Sequence, residues 1–286
     1  MPKTYRPNYL VHTYKISSLT LVMKQNIILV DAFTERPFRG NPAAVCVLPS
    51  PKADSWMQSV AQEMNLSETA FLLKQEQSYS LRWFTPKTEV PLCGHATLAS
   101  AHVLWTEGYA STGQSIEFKT KSGVLTAKYQ SDWIELNFPA NPSQDIPPIT
   151  KLADALGVPL KTVLYNSLGY LVEVATVEQV EQLKPNFTLL KQLPLAKVIV
   201  TSRGAKDSEY DFVSRFFAPG VGIDEDPVTG SAHCCLAPYW RDRLHQNSFL
   251  AYQASARGGV VKIDYDGGDR VFLQGQAVTV MRGELI

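Results

Sequence analysis

The chain has 286 residues, room for one large or two medium domains of about 100–150 residues, and its 27 Lys+Arg and 27 Asp+Glu cancel to zero formal net charge. A hydrophobic fraction of 45% against 19% charged residues excludes a disordered chain, and the charge balance leaves no broad basic field for nucleic acid and no polybasic anchor for a membrane surface. No run approaches the roughly 18–20 apolar residues of a membrane span, and Cys46, Cys93, Cys234 and Cys235 form neither a C-x-x-C pair nor a disulfide framework, as suits a cytoplasmic protein.

Residues 1–22 read as a poorly structured N-terminal extension, with Met23 a candidate natural start. The first convincing strand is Ile27–Val30. A turn at Phe38–Pro42 leads into the buried strand Ala43–Leu48, and a helix capped by Asp54 or Ser55 carries Trp56, Met57, Val60, Ala61 and Met64 on one face. Strands are expected at Thr69–Leu73 and Leu81–Thr85. After Pro91, the segment Cys93–Leu104 is small-residued on every side, as a helix wrapped by a sheet would be. Ser115–Thr120, Val124–Tyr129 and Trp133–Phe138 alternate with period two, and Pro139, Pro142, Pro147 and Pro148 then mark a boundary.

The second half repeats this plan. Thr150–Leu156 is a helix stopped by Gly157, Leu168–Ala175 a strand, and Val177–Leu183 a helix ending before Pro185. Strands follow at Val198–Thr201 and Asp211–Phe217. Pro227–Ala237 opens another helix of small residues, and strands at Phe249–Ser255, Val260–Tyr265, Arg270–Leu273 and Ala277–Met281 complete the chain, with Asp266-Gly267-Gly268 as a hairpin turn.

The two helix openings are alike: each has a proline three residues before a glycine, and Gly94 and Gly230 stand 136 residues apart. Such spacing suggests two similar lobes. A glycine at a helix start lets a ligand approach unsatisfied backbone N–H groups, so two facing openings make an anion site; alternatively, both glycines serve only helix–strand packing. Glu68 enters an apolar strand and is either a carboxyl group held inward, with a raised pKa suited to general acid/base work, or a solvated residue beside a Ser67 cap. Asp224, Glu225 and Asp226 precede the second opening, as a solvated loop or with Asp226 turned toward the helix. Cys93 with His95, and His233 with Cys234 and Cys235, lack zinc-site spacing, and a Cys93 nucleophile activated by His95 has no third orienting group. No dinucleotide or P-loop glycine motif occurs.

Several blocks together resemble the phenazine-biosynthesis (PhzF-type) isomerase family, relatives of diaminopimelate epimerase. They are Asp31-Ala32-Phe33 with Pro37–Val45, Leu66-Ser67-Glu68-Thr69-Ala70-Phe71, Arg82–Pro86, Cys93-Gly94-His95-Ala96-Thr97, Asp224–His233 and Gln253–Gly259. The match is to the subgroup carrying E-D-P-V-T-G-S-A-H. Gln253–Gly259 departs from the Q-G-x-x-x-R-P-G form common elsewhere in the family, which weakens transfer of the phenazine substrate itself.

The resemblance implies an α+β fold of two pseudo-symmetric lobes, each a curved, mostly antiparallel sheet or barrel around a central helix, with the active site between them. The lobes would be 23–140 and 141–275, with 276–286 returning to the first. It places the acid/base glutamate at Glu68, supporting residues at His95, Asp226 and Ser231, and substrate-binding groups at Gly94, Gly230 and Thr229. It further implies an isomerase that needs no cofactor or metal, a small anionic metabolite as ligand, and a homodimer. Related epimerases use one cysteine from each lobe; here Cys93 fills the first place while Pro227 stands near the second. The alternatives are an epimerase or racemase working with Glu68 and Cys93, and a non-catalytic binding protein.

Overall fold

The computed structural model of the protein describes residues 24–147 and 149–286. The expected extension at residues 1–22 and the boundary residue Pro148 lie outside these.

The first half runs β1 (Gln25–Ala32), β2 (Asn41–Leu48), α1 (Asp54–Met64), β3 (Glu68–Lys74), β4 (Tyr79–Phe84), β5 (Glu89–Val90), α2 (Gly94–Thr106), β6 (Ile116–Thr120), β7 (Gly123–Gln130) and β8 (Trp133–Pro139). The second runs β9 (Gln144–Asp145), α3 (Thr150–Leu156), β10 (Thr162–Tyr165), β11 (Tyr170–Glu173), α4 (Val177–Glu181), α5 (Phe187–Leu190), β12 (Val198–Arg203), β13 (Phe212–Ala218), a 3₁₀ turn (Pro219–Val221), β14 (Ile223–Asp226), α6 (Gly230–Leu244), β15 (Ser248–Gln253), β16 (Gly259–Asp264), β17 (Arg270–Gly275) and β18 (Ala277–Leu285).

Strand pairing repeats between the halves. In the first, β1 is antiparallel to β2, β2 parallel to β3, β3 antiparallel to β4 and β4 parallel to β6. In the second, β10 is antiparallel to β11, β11 parallel to β12, β12 antiparallel to β13 and β13 parallel to β15. Each parallel step needs a crossover connection, and α2 and α6 occupy the corresponding one in each half. The result is the expected two-lobed α+β fold, with one difference: the lobes share a single 18-stranded sheet, joined where β17 pairs with β8. The last strand, β18, pairs antiparallel with β1.

The central helices explain themselves through composition. In α2 the run His95–Ala101 is buried throughout, and Ala96, Ala99 and Ala101 let strands approach from every side. The buried hydroxyl of Ser100 donates to the Ala96 carbonyl one turn back, which satisfies it without an outside partner. In α6 the run Ala232–Trp240 is likewise buried, so Cys234 and Cys235 are core residues. At the surface, Gly157 ends α3 at φ +69°, as expected. The expected cap of α1 is different. Ala53 stands at the N-cap with no side-chain hydrogen bond, and Asp54 lies in the first turn, where its carboxylate pairs with Arg82 at 2.7 Å. No helix among the described residues is long and apolar enough to cross a membrane.

Candidate active site

The openings of α2 and α6 meet. A Cβ placed on Gly94 would lie 3.3 Å from the Gly230 Cα, and one on Gly230 would lie 3.4 Å from the Gly94 Cα. Both glycines thus serve close approach, and the orphan N–H groups of two helix N-termini converge on one place. That place opens on a cavity of about 590 Å³ whose wall includes Glu68, Cys93, Gly94, His95, Asp226, Thr229, Gly230 and Ser231. Every sequence-predicted site residue is therefore brought to one cavity.

Glu68 begins β3, level with Ala43 of the parallel β2, and its side chain retains 14% exposure. Burial, and next the negative charge of Asp226, push its pKa up to about 8, while the Cys93 thiol hydrogen-bonds the carboxylate in the opposite sense. Asp226 is raised to about 6 by burial, against hydrogen bonds from Thr229 and Asn41. The two carboxyl groups thus differ in state near neutral pH: Asp226 is ionised and Glu68 holds a proton it can exchange.

His95 is buried and kept neutral, its pKa driven down to about 3 by desolvation. Its Nε2 stands 3.4 Å from Glu68 Oε2, a contact between a neutral ring and a carboxyl group and no ion pair. Its Nδ1 faces Asn41 Nδ2 at 3.1 Å and the Cys93 thiol at 3.5 Å. An amide nitrogen such as Asn41 Nδ2 accepts no hydrogen bond, so Nδ1 faces it unprotonated and the ring proton sits on Nε2, on the Glu68 side. That buried Nε2 has no aligned hydrogen-bond partner in the protein.

The network supporting Asp226 includes residues that carried no role in the sequence reading. Asn41 Nδ2 donates to Asp226 Oδ1 at 2.8 Å and to the Val228 carbonyl at 2.9 Å. Thr229 Oγ1 donates to Asp226 Oδ2. Gln253 Nε2 donates to the Asp226 carbonyl at 2.8 Å while its Oε1 accepts from the Thr229 N–H at 2.9 Å. Asn41 is held in place by Gly40, whose φ of +62° and closeness to the Ala32 carbonyl (2.1 Å from a Cβ there) admit no side chain. Arg257 of the second lobe clamps the same turn, with Nε on the Gly40 carbonyl and Nη2 on Asp31, each at 2.7 Å. The sequence signals for Asn41 were its place in the Pro37–Val45 block and a polar residue between a glycine and a proline at the start of a buried strand.

The capping positions of the two helices sharpen one assignment. Cys93 is the N-cap of α2 and Thr229 the N-cap of α6. The counterpart of Cys93 is therefore Thr229, whereas Pro227 stands two residues away. The thiol of Cys93 is itself pushed well above the ordinary cysteine range, first by burial and then by Glu68, so it stays protonated. Glu68, Cys93 and His95 are also the one group among the described residues whose donor atoms cluster closely enough (4.8 Å) to hold a metal ion. The imidazole, however, turns Nδ1 to Cys93 and Nε2 to Glu68, so an ion bound to either nitrogen sits beside only one of the other donors.

Residues 30–283 match the sequence profile of the phenazine biosynthesis-like protein family, PhzC-PhzF. An isomerase of Halalkalibacterium halodurans is 56% identical over 266 residues, which cover 93% of this chain and 100% of that protein. The crystal structure of a PhzF-family phenazine biosynthesis protein from Enterococcus faecalis superposes with a TM-score of 0.87 at 42% identity, covering 92% of this chain and 100% of that one. A hydroxyproline epimerase from Agrobacterium vitis shares the fold alone, with a TM-score of 0.62 at 12% identity and 93% coverage of both chains. With a family match across nearly its whole length and an isomerase as a full-length relative, this chain belongs to the phenazine biosynthesis-like protein family and is an isomerase of the PhzF type.

Proposed function

We propose that the protein moves a proton within a small carboxylate-bearing metabolite, using Glu68 as the single acid/base and no cofactor. The supporting observation is the unequal pair of helix caps: the first lobe places a titratable cluster at the junction, and the second places the hydroxyl of Thr229 where a second base would stand. The ligand carboxylate lies against the N–H groups at Gly94 and Gly230, which pay no reorganisation when charge develops. In the fraction of molecules where it is ionised, which grows as pH rises toward about 8, Glu68 takes a proton from a carbon made acidic by conjugation or a neighbouring carbonyl. The C–H pair enters the conjugated system, the double bond shifts, and Glu68 returns the proton to another carbon of the same ligand. His95 Nε2–H lies where it can donate to the ligand, and Asp226, fixed by Asn41 and Thr229, orients it and tunes Glu68. Ser231 joins the cavity wall as a further polar contact.

Glu68→Gln keeps the shape and removes the base. Its turnover in an isomerisation assay is expected to fall by about 10³-fold; retention within a few-fold overturns the assignment. The epimerase reading, which requires Cys93 as a base, is disfavoured by the buried, protonated thiol. The four cysteines, all buried and unpaired, support a cytoplasmic location, and the expected homodimer is checked by light scattering on the purified chain.

A further inference from the structure

The floor of the cavity is acidic, and its mouth is not. Of the residues lining it, Glu68 and Asp226 are the carboxylates and Lys197 is the one lysine or arginine; much of the remaining wall, including Phe138, Phe216, Val221 and Ile223, is apolar. Lys197 is half-buried, and the ion-paired lysines among the described residues are Lys24, Lys121, Lys161 and Lys191, so Lys197 has no carboxylate partner.

The backbone that presents Lys197 is held in an unusual form. Ala196, immediately before it, is buried with φ +46°, a left-handed conformation rare for residues with a side chain. It is kept there by the turn at residues 219–222: the Gly220 N–H donates to the Ala196 carbonyl at 3.2 Å, and a Cβ on Gly220 would lie 2.6 Å from the Ala196 Cβ. The same turn receives a second lysine from the other lobe. Lys87 places its Nζ 3.1 Å from where a Cβ of Gly222 would stand, and it too lacks an ion-pair partner among the described residues. Val221 and Ile223, on either side of Gly222, line the cavity. The turn therefore lies between Lys197 of the cavity wall, whose backbone neighbour Ala196 it holds, and the ammonium group of Lys87, which is exposed and stands just outside that wall.

Building on the proton-transfer reading above, we propose that this mouth is a second anion subsite and that the substrate is dianionic. One carboxylate rests on the Gly94 and Gly230 openings, an unsaturated apolar body fills the passage, and a second anionic group, carboxylate or phosphate in type, sits between Lys197 and Lys87. Because the lysines come from different lobes, such a ligand ties the lobes together across the reacting carbon.

The test uses titration calorimetry on the full chain with benzoate as the one-anion probe and isophthalate, terephthalate and 4-phosphonobenzoate as two-anion probes. Wild type is expected to bind at least one two-anion probe about 10-fold or more tightly than benzoate, the carboxylate and phosphonate arms showing which group is preferred. In the K87M/K197M double variant that ratio should fall to within about twofold, and K87R/K197R should restore most of it. Wild type binding no two-anion probe better than benzoate, or a preference that survives K87M/K197M, overturns the proposal. The Glu68→Gln variant separates the two readings: it should keep the two-anion preference. An unaltered catalytic rate in that variant, with the preference intact, overturns the role of Glu68 and leaves the subsite standing.

Discussion

The openings of α2 and α6 are the same backbone with different chemistry. Each has a glycine at the first helical position, and the two touch at their Cα atoms. At the first opening, the N-cap and the residue after the glycine are Cys93 and His95, packed against Glu68; at the second, they are Thr229 and Ser231, beside Asp226. The likeness brings two helix N-termini together, which is the basis of the proposed anion site and needs no long-range field in a neutral protein. On the proposed mechanism, the difference gives proton transfer to one lobe and orientation to the other.

The largest effect expected from breaking this asymmetry is at Asp226. Asp226→Asn removes the like charge that helps raise Glu68, so the lower limb of the pH–rate profile, expected near pH 8 in wild type, should move to lower pH. Loss of orientation should at the same time reduce the plateau by about 10²-fold. An unmoved limb would contradict the coupling of the two carboxylates.

Gly94→Ala and Gly230→Ala test the likeness. Either methyl group forces the helix ends apart by a few tenths of an ångström, since the contacts at 3.3 and 3.4 Å are already tight. Both should weaken ligand binding to a similar degree, about 10-fold in KM, because misplacement at a reacting centre is costly. A loss confined to one glycine would show that only one terminus holds the carboxylate.

Cys93→Ala tests the difference and should leave isomerisation within a few-fold of wild type. A complete loss would restore the two-base reading. The last effect expected is on stability. Glu68 has a folded pKa near 8 against an ordinary value of 4.5, so its folded form binds more protons between those limits and wild-type stability falls as pH rises through them. Glu68→Gln should match wild type near pH 4.5, exceed it increasingly as pH rises toward about 8, and hold a constant advantage above that. Melting curves across that range read the divergence.

Much of this was legible in the sequence because local patterns carried it. The small-residue runs after Cys93 and Thr229 announce helices enclosed by strands, and Gly157 marks a helix end by its conformation. The short strands β5, β9, β10 and β14 were not legible, since two to four residues become strands only through their partners. Asp224-Glu225-Asp226 looked equally like a solvated acidic loop. It is β14, where pairing with β13 sends Glu225 to Arg215 at 2.7 Å and leaves Asp226 for Asn41. The Asn41–Asp226 bond joins residues 185 apart, a contact that no local window contains.

The most direct test of the single-carboxylate account is the position of solvent label in the product. Wild type is incubated with a metabolite extract in heavy water, and ions that convert at unchanged formula are resolved by mass spectrometry and NMR. The account predicts an isomer with a shifted double bond and its new C–H at a different carbon, formed by wild type and Cys93→Ala but not by Glu68→Gln. Label confined to the original carbon with inverted configuration, lost in Cys93→Ala, would contradict it.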